Sequence, residues 1–233
     1  MKKKYEKKQG KPAVKPVDNT IRQMEKNIFA LKFYPVAVDE DSKEEAVKNL
    51  MKTYEKENET VKQLILFMLH EAVSQYFEFK VTHVFDFFKA KNPQEDPAKL
   101  RIEVYRKMFN YNTSLEGVIE IITLLGRIGG DDAAKLLTYH YSRACAAETE
   151  LHVTLRNAII SALAVSDSPY ALSSLLTYAN HTDNERTFQR LMVAIGKWND
   201  KLDKIKMKDK TKKKLKKDVA EVIKKEFGTS HYG

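Results

Sequence analysis

Few residues in this chain have types and spacing suited to chemistry. His70–Glu71 begins like a HExxH helix, in which two histidines one turn apart hold zinc and the glutamate activates water. Position 74 is Ser, so the second ligand is missing. His83, His140, His152, His181 and His231 are scattered without ligand spacing, and no metal is expected. GRIGGDD at 126–132 has the glycine density of a phosphate loop but lacks its Gly-Lys-Ser/Thr, so it reads as a turn between helices. Cys145, in RACAAE, has no evident base beside it and reads as a small packing thiol. No catalytic residue or cofactor is assigned.

Charge points to binding instead. The chain of 233 residues carries +9, but this charge is unevenly placed. Residues 1–16 hold seven Lys against one Glu, and residues 201–226 hold twelve Lys against five acids, which leaves the middle mildly acidic. Lys3, Lys4, Lys7 and Lys8 at one end, and Lys212, Lys213, Lys214, Lys216 and Lys217 at the other, are the candidate anion contacts for nucleic acid, ribosome or anionic lipid. A single cysteine points to a reducing compartment. No apolar stretch follows Lys2–Lys4 as in a secretion signal, and none approaches the ~20 residues of a membrane span. The expectation is a cytoplasmic protein.

The elements that would position any site are helices. Low Gly and Pro content with abundant Lys, Glu, Leu and Ala favours them. Four segments place apolar residues at i, i+3, i+4, i+7, one face of a helix: Val61, Leu64, Ile65, Met68; Val118, Ile121, Ile122, Leu125; Leu155, Ala158, Ile159, Ala162; and Phe188, Leu191, Met192, Ile195. Mostly, room for one partner helix separates them, the pattern of a helical repeat array. Ser42–Glu45, Thr113–Glu116 and Thr182–Glu185 read as capping boxes. Asn58, Asp131 and Thr149 read as helix openers, as do Asp96–Pro97 and Ser168–Pro169. Residues 81–96, with Phe85, Phe87 and Phe88, interrupt the period. The reading is a disordered basic tail at 1–17, a repeat domain at 18–200, and a basic capping helix and tail at 201–233.

Segments such as TLRNAIISALAVSDSPYALSSLLTYA resemble HEAT repeats, especially the short bacterial and archaeal type. The cues are an apolar residue and a base before the inner helix core (Val61–Lys62, Leu155–Arg156), then a small residue and an acid at the turn. Gly126 with Asp131, Ala164 with Asp167, and Gly196 with Asp200 supply the second part. Leu-Leu-Thr-Tyr occurs at both 136–139 and 175–178. Gln189 departs from the pattern where Arg156 stands one repeat earlier. The resemblance implies an all-α, right-handed solenoid of about four to five helical hairpins whose inner helices line a concave surface.

If each template helix buries its apolar face, positions i+2 and i+9 lie opposite it. These are Gln63, Glu120, Asn157 and Arg190, then His70, Arg127, Ala164 and Lys197. The row is polar and turns basic towards the C-terminus, which suits an acidic peptide or helix of a protein partner. The expected function is a non-enzymatic interaction scaffold. Binding to nucleic acid or the ribosome through the lysine-rich ends is the alternative. A DNA glycosylase of the HEAT-like type is a third reading; it needs tryptophans in a positive groove, and Trp198 is the single one present.

Overall fold

A computed structural model describes residues 16–81, 114–205 and 207–225. The described residues are all helical, without a strand. The helices are α1 (Pro16–Phe33), α2 (Glu40–Lys56), α3 (Glu59–Val81), α4 (Leu115–Ile128), α5 (Gly130–Ala144), α6 (Glu150–Val165), α7 (Pro169–His181), α8 (Glu185–Lys201) and α9 (Asp209–Ile223). The N-terminal lysines, the aromatic interruption from residue 82 onward and the expected helix start at Asp96–Pro97 lie outside the described residues.

The α2, α3, α4, α6, α7 and α8 helices each begin where a short polar side chain takes up a free backbone N–H. Asn58, Thr149 and Ser168 do this at the expected places. Three other starts differ from the capping-box reading. Asp39, not Ser42, caps α2 by accepting from the Ser42 N–H. Ser114 caps α4 through the Gly117 N–H, and Asn184 caps α8 through the Thr187 N–H. In each case several capping residues stand in a row. The one used is the residue whose side chain faces the N–H three positions on. The α5 helix starts one residue before Asp131, at Gly130, behind Gly129 in the left-handed region (φ 69°).

Packing follows every second helix. The α4, α6 and α8 helices pack in succession, and so do α3, α5, α7 and α9. Consecutive helices pack as well, α5 with α6 and α7 with α8 more extensively than α4 with α5 or α6 with α7. The expected core faces of α4, α6 and α8 are buried at Val118, Ile121, Ile122, Leu125, Leu155, Ile159, Ala162, Phe188, Leu191 and Ile195. The α3 face is wider than expected. Of its four template residues Ile65 is buried, and Val61, Leu64 and Met68 are partly buried against the core. The α3 helix also buries Leu66, Leu69, Ala72, Val73, Tyr76 and Phe77. It is apolar around most of its circumference, so its orientation is set by its neighbours α4 and α5.

Close approach between helices depends on small residues. A Cβ at Gly126 would meet the Ala162 backbone, 2.6 Å from its carbonyl oxygen, so α4 and α6 cross there with no space for a side chain. The turns are tied to one another as well. The Gly130 N–H donates to Asp167 Oδ1 (2.9 Å), and Ser168 Oγ donates to Asp131 Oδ1 (2.5 Å). Beside the same turn, Trp198 is fully buried and its indole N–H donates to the Leu163 carbonyl at 2.9 Å. Lys201 Nζ reaches the carbonyls of Ala164 (2.5 Å) and Val165 (2.9 Å), filling the unpaired C-terminus of α6. Burial lowers the pKa of this lysine from its ordinary value.

Candidate functional site

Two grooves are lined by charged residues of α2 with α4 and of α6 with α8. The first, of about 930 Å³, lies between α2 and α4 and is lined by Asp41, Glu44, Glu45, Glu55 and Glu120 with Lys43, Lys48, Lys52 and Arg127. Its charges largely compensate. Lys43 is nearly buried, forms an ion pair with Glu40, lies 3.4 Å from Glu120 and sits 4.8 Å above the Tyr34 ring.

The second groove, of about 490 Å³, lies between α6 and α8 and has a different character. Asn157, Ser161, Ile160 and Ala164 come from α6; Arg186, Gln189, Arg190, Val193, Ala194 and Lys197 come from α8. No carboxylate is among its lining residues. Arg186, Arg190 and Lys197 are exposed and make no ion pair among the described residues. Val193 between them is 63% exposed, an isolated apolar residue on a basic surface.

The row expected from the sequence is thus divided. Glu120 and Arg127 line the compensated groove, and Asn157, Ala164, Arg190 and Lys197 line the basic one. Gln63 and His70 lie elsewhere, on α3 facing α5. Gln63 Nε2 donates to Asp132 Oδ2 (3.1 Å), and His70 Nδ1 is 3.0 Å from His140 Nε2. This follows from the wider buried face of α3. Sequence reasoning missed Arg186, Ser161, Gln189 and Val193. For the α8 residues the signal was present: 186, 190, 193 and 197 repeat the 4–3–4 spacing of a helix face, opposite the buried 188, 191, 195 and 198.

Other reactive groups of the described residues lie outside the two grooves. His140 is fully buried and stacked on Phe77. Burial, together with the charges of His70 and Arg143, lowers its pKa to about 3. The glycine turn at 126–132 has its Gly130 amide occupied by Asp167, so it does not present that donor to a phosphate. Cys145 corrects the expectation of a packing thiol: it follows the end of α5, is exposed, and shares a groove with Tyr141, Glu148, Arg156 and Thr187; Arg156 is held by Glu148 at 2.5 and 2.6 Å. Tyr141 stacks on Tyr178, whose pKa burial raises to about 12. Among the described residues no group of three metal-ligating side chains occurs.

The basic end is partly engaged. The α9 helix buries Leu215, Val219 and Val222 against α7 and α8. Lys212 donates to the Asp203 carbonyl at 3.2 Å, Lys216 to its carboxylate at 2.6 Å, and Lys217 lies 3.6 Å from Glu221. Lys213 and Lys214 are exposed with no partner among the described residues. No described helix is long and apolar enough to cross a membrane. Comparison with known proteins finds no matching family model, no matching curated protein and no matching solved structure.

Proposed function

We propose that the protein is a cytoplasmic, non-enzymatic interaction module, a HEAT-like solenoid that binds an acidic segment of a protein partner in the groove between α6 and α8. Alternate-helix packing supports the solenoid reading, as do the two Leu-Leu-Thr-Tyr segments, whose tyrosines each contact the preceding helix of the same row. Tyr139 meets His70 of α3, and Tyr178 meets Tyr141 and the Thr138 carbonyl of α5. One observation carries the binding site: three cations and an exposed valine line a groove that has no carboxylate among the described residues. Such a surface attracts an anionic partner and gives it an apolar contact.

The lysines of α9 favour a second reading, binding to nucleic acid or the ribosome, because Lys213 and Lys214 are exposed and uncompensated. Buried Trp198 is not placed to stack on a base, which argues against the glycosylase reading. Titrating the full chain with fluorescent poly-glutamate and with single- and double-stranded DNA, at low and near-physiological salt, separates the two readings. The groove reading expects poly-glutamate binding that Arg190→Glu with Lys197→Glu removes. Tight DNA binding at physiological salt, insensitive to that pair of substitutions, would overturn it.

A further inference from the structure

Resting on that reading, the geometry points to a specific shape of partner: an amphipathic acidic α-helix of about three turns, lying along α8 with its apolar side over Val193 and Ile160. The first argument is spacing. Arg186, Arg190, Val193 and Lys197 stand at i, i+4, i+7 and i+11, one stripe of α8. At 1.5 Å per residue the stripe spans about 16 Å, with two cations about 6 Å apart, then the apolar residue, then the third cation. An incoming helix with acids at i, i+4 and i+11 and an apolar residue at i+7 presents the complementary row, since those positions share one face.

The second argument is the opposite wall. On α6 the groove is lined by Asn157, Ser161 and Ala164, side chains short enough for a third helix axis to settle between α6 and α8. The Ile160 and Ala194 side chains are buried beneath it and form an apolar floor.

The third argument excludes an extended occupant. A strand covering about 16 Å uses about five residues and brings about ten backbone donors and acceptors into the groove. The groove offers three neutral polar side chains, Asn157, Ser161 and Gln189, and Gln189 already donates to Glu185 at 3.3 Å. A helix arrives with its backbone groups paired internally and requires only side-chain complements.

The test uses three probes against the full chain, read by fluorescence anisotropy at near-physiological salt. One is a side-chain-stapled peptide with Glu at i, i+4 and i+11 and Leu at i+7. The second is the unstapled peptide with proline at its centre, and the third is poly-glutamate. The expected result is that the stapled peptide binds at least about tenfold more tightly than the proline peptide. Binding should also be lost in the chain carrying Arg190→Glu and Lys197→Glu, whose circular dichroism and melting match those of the parent. If poly-glutamate or the proline peptide binds as tightly as the stapled helix, the helical partner is wrong and the acidic-segment reading survives. If no probe binds, or if binding persists in the double variant, the groove itself is wrongly assigned.

Discussion

The groove between α2 and α4 is about twice the size of that between α6 and α8, yet the smaller one is the candidate site. The difference lies in the balance of charge. In the larger groove five carboxylates stand among four cations, and Lys43 is held between Glu40 and Glu120. A ligand of either charge would meet repulsion from one of the two sets. In the smaller groove the cations face no carboxylate among the described residues, so an acidic ligand meets attraction alone. Volume is therefore a poorer guide to binding than the state of the charges already present.

The comparison can be broken most severely at Trp198. This residue fills the space under α8 and binds the Leu163 carbonyl, holding α8 against α6. Trp198→Ala should cost about 3–5 kcal/mol, seen as a large fall in melting temperature, and should abolish binding in the basic groove. Melting unchanged within a degree would mean that this contact does not hold the two helices together.

His140 supplies a pH-dependent test. Its native pKa of about 3 lies below the ordinary value near 6.5, so the unfolded chain binds a proton that the native chain refuses. The stability it contributes is complete above pH ~6.5 and is lost as pH falls towards ~3, at up to about 1.4 kcal/mol per pH unit. Replacing it by Leu, a side chain without a titrating proton, should flatten denaturant-derived stability across that window. An unchanged slope would remove His140 as its source.

A smaller effect is expected at the α4–α6 crossing. Gly126→Ala places a methyl against the Ala162 backbone, and the helices must separate at a cost of about 1–3 kcal/mol. A neutral or stabilising result in thermal melting would show that the crossing is looser than described.

The smallest change in stability, within about 0.5 kcal/mol, should come from reversing exposed charge. Arg190→Glu with Lys197→Glu should weaken an acidic ligand at least about tenfold with almost no change in melting. Lys48→Glu with Lys52→Glu, in the compensated groove, should leave that affinity nearly unchanged. Equal losses from both pairs would mean that only general electrostatic attraction is at work.

Much of this arrangement was legible in the sequence, and the exceptions have identifiable causes. The buried faces of α4, α6 and α8 follow from periodicity because each has one apolar side. The α3 helix has several, so spacing alone found Val61, Leu64, Ile65 and Met68 without Leu66, Leu69 and Val73 and misplaced Gln63 and His70. Helix starts at Asp39, Ser114 and Asn184 were missed because more than one capping residue precedes each helix, and the choice depends on where the helix docks. Arg190 and Lys197 came from opposition to the buried face, whereas Arg186 and Val193 required the neighbouring wall of α6 to show that a groove exists there.

The most direct test of the central claim is a backbone amide NMR titration of the full chain with the stapled acidic helix. The account predicts that the largest shifts fall at residues 157–164 and 186–197 and are absent along α2. Shifts concentrated on Lys210–Lys217 of α9, with the α6–α8 groove silent, would contradict it.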